Sequence, residues 1–269
     1  MNNGTMTTKI LGVPIDRVTE QQAIAHVIQS LDRRSGGSLV TLNLEMLRLC
    51  KRSTEARALV RAGSLLVADG QPLVWASRWQ GEPLPERVTG SNLIWTLTDQ
   101  VAPSGYSIFL LGGHPGAAET AAAKLRAATP GLRVAGCLCP PRGFEHVPSE
   151  MDDISRVLAS SRPDIVYVGL GFPKQERLIS QLCAELPSTW FVGVGISIDF
   201  VAGRVRRAPR WIQSLGLEWL HRLAQEPRRL VKRYLVHGLA FMPVLFADSL
   251  RVRLRRRARR RKPSPRTSR

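Results

Sequence analysis

Residues 164–180 read DIVYVGLGFPKQERLIS, and the parsing of that stretch decides the fold. A β-branched, apolar run from Asp164 to Leu170 meets glycine and then a helix-patterned segment, which is strand, turn, helix. That unit builds parallel α/β sheets. The turn is neither of the common phosphate loops. One needs Lys-Ser/Thr opening the helix and the other a third glycine, whereas this turn continues Pro173-Lys174-Gln175-Glu176. The missing Ser/Thr argues against an ATPase, and the incomplete G-x-G-x-x-G against an NAD-dependent oxidoreductase.

The same alternation extends in both directions. Strands are expected at Ser38–Thr41, Leu65–Ala68, Ser107–Leu111, Leu132–Cys137, Ile165–Leu170 and Trp190–Val194, with amphipathic segments such as Glu20–Arg33, Pro115–Thr129 and Glu150–Ser161 between them. Apolar strands alternating with helices predict an α/β, doubly wound, mostly parallel (Rossmann-like) sheet covered on both faces. Ligands of such sheets bind outside the carboxyl ends of the strands. That edge carries Thr41 and Asn43, Asp69-Gly70, Gly112-Gly113, Gly169-Leu170-Gly171 and Gly193-Val194-Gly195. Glycine at several strand ends, with polar residues at the others, favours a pocket there over ordinary turns.

Charge divides the chain. Of 39 Lys+Arg and 21 Asp+Glu, 20 basic and three acidic residues lie from Arg204 onward, so that segment carries +17 of the net +18. The body is neutral, and the partner of the basic segment must be anionic: a membrane surface, a diphosphate or nucleic acid. The apolar stretch Tyr234–Ala247, interrupted by His237 and Pro243, falls short of the roughly 20 residues that span a bilayer and suits a helix lying in the interface. The basic run Arg251–Lys262 follows directly and lacks interleaved aromatics, which disfavours a nucleic-acid arm. The expected organisation is a catalytic α/β domain over 1–203, a helical appendage over 204–250 and a disordered basic tail over 251–269. The four cysteines show no C-x-x-C pair and read as buried reduced thiols. The N-terminus lacks a charged segment followed by an apolar run, so no signal peptide is expected.

Three segments offer chemistry. Asp69, before Gly70-Gln71-Pro72, reads equally as a general base at the ligand edge or as a helix N-cap. Arg87, in RVTGSNL, places a cation ahead of a glycine turn and a helix start, an arrangement open to an anion or to a plain surface arginine. Arg222, Arg229 and Arg233 fall at seven- and four-residue intervals, as on one helical face that either clamps a diphosphate or is merely solvated.

Taken together, TLN (41–43), ADGQPLVW (68–75), G-x-PLPERVTGSNL (81–93), FLLGG (109–113), VGLGFPKQE (168–176), GVG…DFVAGRVRRAPRW (193–211) and GLEWLHRLAQEPRRL (216–230) resemble the TagA/WecG/CpsF family of bacterial glycosyltransferases. The resemblance implies inverting transfer of a sugar from a UDP-sugar to a polyprenyl-diphosphate-linked sugar. It places the reaction at the cytoplasmic face of the membrane and implies that no metal is needed; no other cofactor is expected, and the charge pattern speaks against nucleic acid as a partner. The resemblance implies Asp69 as catalytic base, Thr41 and Asn43 beside it, Gln175 and Gly113 toward the donor, and Arg87, Arg222 and Arg229 toward diphosphates. It also implies an appendage that closes the site and meets the anionic inner membrane surface. Homo-oligomerisation stays open. N-acetylmannosamine, its uronic acid and glucose are the implied donors. Asn92 stands where the family usually has aspartate, and Ile196, Ser197 and Ile198 replace its usual residues before Asp199-Phe200.

Overall fold

The computed structural model describes residues 6–214 and 216–260, without the side chains at 210, 214, 229, 233, 259 and 260. A hairpin of β1 (Thr7–Ile10) and β2 (Val13–Asp16) precedes α1 (Glu20–Asp32). Then follow β3 (Gly37–Leu42), α2 (Leu44–Arg52), α3 (Thr54–Arg61), β4 (Leu65–Ala68), α4 (Gln71–Trp79), α5 (Gly90–Val101), β5 (Ser107–Gly112), α6 (Ala117–Ala128) and β6 (Arg133–Leu138). The body ends with α7 (Pro148–Ser161), β7 (Ile165–Gly169), α8 (Lys174–Glu185), β8 (Trp190–Gly193) and α9 (Ser197–Ala202).

The six later strands form one sheet in the order β4-β3-β8-β7-β5-β6, every neighbouring pair parallel. The pleat sends alternate residues to opposite faces. Leu39, Ile108, Leu110, Tyr167 and Val192 meet α1, α5, α6 and α9 on one face. On the other, Val40, Leu42 and Leu66 meet α2 and α4, while Phe109, Val166 and Phe191 meet α7 and α8. Both faces are covered, which is why the strands are apolar throughout rather than alternating. All six expected strands are present. The β1–β2 hairpin lies outside that expectation; its short strands pack Ile10, Val13 and Ile15 into the core.

The C-terminal segment is helical but broken. It comprises α10 (Arg210–Ser214), α11 (Glu218–Gln225), α12 (Pro227–Val231), a π-helical stretch Lys232–Leu239 and α13 (Ala240–Arg260). Pro227 opens α12, since its ring and missing N–H end the preceding helix. Arg222, Arg229 and Arg233 therefore sit on three successive elements and not along one helical face, which corrects the spacing argument. The start of α13 docks on the body through Phe241 and Leu245, buried beside Ile10 and Leu73. Two such side chains contribute at most about 3–6 kcal/mol. Trp79 packs on Phe246 at 4.8 Å between ring centroids, and Arg256 pairs with Glu82.

The helix runs unbroken through Arg251, where a disordered tail was expected to begin. Leucine, alanine and arginine all favour helix, and the arginine side chains reach solvent from it. Residues 261–269 of that expectation lie outside the described residues. Among the described residues, Tyr234–Ala258 is long and apolar enough to cross a membrane by length and composition, with a mean hydropathy of 1.4 over its best stretch. Beyond Ala247 the same helix continues, with Leu250, Val252 and Leu254 interleaved with Asp248, Arg251, Arg253 and Arg255. Val236, Leu239, Leu250 and Leu254 are exposed. Of the cysteines, only Cys50 is fully buried; Cys137, Cys139 and Cys183 are partly exposed free thiols.

Candidate active site

A cleft of about 910 Å³ opens along the carboxyl edge of the sheet and is roofed by the C-terminal helices. All five strand ends singled out from the sequence line it: Thr41 and Asn43, Asp69 and Gly70, Gly113, Gly169 to Gly171, and Val194-Gly195. The volume is that of a drug-sized ligand site.

Asp69 stands at the cleft floor. Its backbone N–H donates to Leu42 O at 2.8 Å, which holds the end of β4 against β3. The residue capping α4 is Gly70, with no side-chain cap bond, so Asp69 is not the N-cap. Its carboxyl is pushed up to about 6, chiefly by burial and also by the nearby Glu218. Arg87, the Gly90 backbone N–H and Arg207 pull the other way. A carboxylate raised into this range is suited to take a proton near neutral pH.

Thr41 donates its hydroxyl to Gly193 O at 2.7 Å, tying β3 to β8 beneath the cleft. Asn43 caps α2, its Oδ1 accepting from Glu45 N and Met46 N at 3.1 Å each. Gly113 has a left-handed φ of +82°, and a Cβ there would meet Ile198 at 3.0 Å. Its glycine is thereby accounted for by backbone and packing.

The opening turn resolves into a buried pair. Gln175 accepts weakly from Leu170 N at 3.4 Å through Oε1 and donates to Glu176 Oε1 at 2.9 Å through Nε2. Gln175 and Glu176 are buried, and burial pushes the Glu176 carboxyl up to about 7. A Cβ on Gly193 would stand 2.5 Å from Gln175 Nε2, so that glycine makes room for the amide. The Phe172–Pro173 peptide in this turn is cis.

The appendage contributes charge. Glu218 Oε2 pairs with Arg87 Nη1 at 3.3 Å and Glu218 Oε1 with Arg207 Nε at 3.2 Å. Arg207 also donates to Asn92 Oδ1 at 2.6 Å, so the residue that departs from the family pattern is engaged. The Arg222 guanidinium lies over the Phe200 ring, 5.7 Å from its centroid, and lines the cleft. Arg229 is on α12, and its side chain lies outside the described residues.

Four cleft-side residues escaped the sequence reading: His114, Asp199, Glu176 and Glu218. His114 Nδ1 lies 2.8 Å from Asp199 Oδ1. His114 directly follows the Gly112-Gly113 strand end, one residue beyond the turn that the glycines mark. The other three stand in quoted motifs, but nothing in their local spacing singles them out.

An α/β fold with a raised carboxyl and a set of arginines at the carboxyl edge of a parallel sheet defines an enzyme-like cleft for an anionic ligand. The chain belongs to the WecG/TagA/CpsF family of glycosyl transferases, whose sequence model matches residues 8–256. It is therefore a glycosyltransferase of cell-surface polysaccharide synthesis, from a family that uses a sugar donor and a lipid-linked acceptor and is generally membrane-associated.

Proposed function

We propose that the chain transfers a sugar, with inversion, from a UDP-sugar to a polyprenyl-diphosphate-linked sugar at the cytoplasmic face of the membrane. The observation that carries the reading is the Asp69 carboxyl, raised to about 6 at the floor of a cleft that Arg87 and Arg222 also line. Asp69 accepts the proton of the acceptor hydroxyl while that oxygen attacks the anomeric carbon. The bond from that carbon to the phosphate oxygen breaks, and UDP leaves with the electron pair. Arg87, Arg222 and Arg229 offset the charge growing on the departing diphosphate. Thr41, Asn43, Gly113 and Gln175 shape the cleft around the donor. N-acetylmannosamine, its uronic acid and glucose all remain as donors.

In this reading, residues 1–203 form the catalytic body and 204–250 close the site. The exposed apolar residues of 234–254 together with the arginines at 251–257 fit a helix seated on an anionic leaflet, with about 1 kcal/mol for each basic residue near the surface. Salt-sensitive binding to vesicles containing phosphatidylglycerol, in preference to neutral vesicles or duplex DNA, is the expected result for the full chain.

The test of the reaction is a panel of UDP-sugars with a short-chain prenyl-diphosphate-sugar acceptor, measuring UDP release and product mass. Acceptor-dependent release with one donor, lost in Asp69→Asn, is expected. Equal turnover in that variant overturns the assignment of the base, and no release with any of the donors overturns the proposed substrate pair.

A further inference from the structure

His114 follows the Gly112-Gly113 turn at the end of β5 and lines the cleft. Its ring is half exposed, whereas the Asp199 side chain is 3% exposed. A single oxygen, Asp199 Oδ1, meets both the His114 backbone N–H at 3.1 Å and ring Nδ1 at 2.8 Å. Oδ1 accepts from the backbone N–H, and in the arrangement where it accepts from the ring as well Nδ1 carries the hydrogen, so the ring is fixed by its own backbone as well as by its edge. Nε2 is then the ring nitrogen left to meet a ligand.

The surroundings favour an anion at that position. Arg222 stacks on Phe200, the residue after Asp199, while Arg204 Nη2 donates to the carbonyl of Pro115, the residue after His114, at 2.6 Å. The first turn of α6 begins just beyond, with no side chain capping its N–H groups. Ile198, packed against Gly113, keeps the turn in place.

We propose that His114 is a catalytic residue whose Nε2–H, as the imidazolium, donates to the diphosphate of the nucleotide donor, with Asp199 as its positioning residue. This rests on the transfer reaction proposed above. His114 makes and breaks no bond in it. The electron pair of the broken sugar–oxygen bond goes to the phosphate oxygen, and the charge there is shared with Nε2–H, the ring keeping its proton. Diphosphate reaches the cleft from two sources, nucleotide and lipid-linked acceptor. The histidine turn belongs to the α/β body and not to the appendage, which favours the nucleotide.

The test titrates UDP and, separately, a short prenyl diphosphate into the full-length protein by calorimetry. It compares the wild type with His114→Ala, His114→Gln and Asp199→Asn, and ring ¹⁵N signals of labelled histidine are followed in the wild type. His114→Ala is expected to weaken UDP about 10- to 100-fold, the range of a charge-assisted hydrogen bond, and to leave prenyl diphosphate unchanged. His114→Gln, a neutral donor, falls between. UDP moves both ring nitrogens of His114 to the protonated pattern, a readout that needs no variant to fold. Equal UDP affinity in wild type and His114→Ala, or unmoved ring signals on saturation with UDP, overturns the proposal while leaving the transferase reading intact. A loss confined to prenyl diphosphate overturns the donor assignment. A wild-type chain that does not bind UDP overturns both readings.

Discussion

Glu218 Oε2 stands 3.3 Å from Arg87 Nη1, so the anion opposite a cleft arginine of the body is supplied by the appendage. Both side chains are less than one-fifth exposed, at 19% for Arg87 and 18% for Glu218, which places the pair between a surface and a buried ion pair. A double-mutant cycle of Arg87→Ala with Glu218→Gln should return a coupling of about 1 kcal/mol by chemical denaturation. Glu218→Gln should also tighten UDP several-fold, because Arg87 and Arg207 then lose a competing carboxylate.

Asp69 works as a base only when ionised, and burial raises it to about 6. Turnover should therefore be full above that pH and fall about tenfold per unit below it. Glu218 is among the groups raising Asp69, so Glu218→Gln should move the acid limb to lower pH. Asp69→Asn should cut turnover by roughly 10²–10⁴-fold. It should not lower the Tm at pH 8, since the ionised carboxylate is the disfavoured form in the fold.

Glu176 gives a stability signature. Burial lifts its carboxyl from 4.5 to about 7. The protonated form is favoured in the folded state, so this group's contribution is fully present below 4.5 and is lost as pH rises through 7. Unfolding free energy measured between pH 5 and pH 8 should decline for the wild type, and the decline should be shallower in Glu176→Gln.

Gly193→Ala would bring a methyl carbon to 2.5 Å from Gln175 Nε2. The amide is buried and bonded to Glu176, so it cannot swing away freely. A destabilisation of about 1–3 kcal/mol is expected, with a larger KM for the sugar donor. Unchanged stability and unchanged KM would remove Gly193 from the account of the Gln175 pocket.

The strands were legible because their apolar runs answer to burial on both faces, and the strand-end residues were legible because topology places them at one edge. Asp69 was found on these grounds, and the structure excludes its alternative role as a cap. His114 pairs with Asp199 across 85 positions and Arg87 with Glu218 across 131. No local period reports contacts of that kind. The hairpin strands, TTKI and VPID, mix lysine, threonine, proline and aspartate with their few apolar residues and so lack the continuous apolar run that marks the equally short β4 and β8. The seven-residue spacing of Arg222 and Arg229 takes no account of the helix break at Pro227.

The strand order carries a consequence for synthesis. β3 and β4 pair with one another, as do β5 and β6, but only β7 and β8 join these two ribbons. A chain leaving the ribosome amino end first thus makes both flanks before the pair of strands that bridges them. Until Trp190–Gly193 emerges, one edge of β3 has no neighbour, and such an edge recruits foreign strands. The newborn chain is most open to mispairing over that interval, and a nascent-chain chaperone would have most to protect there.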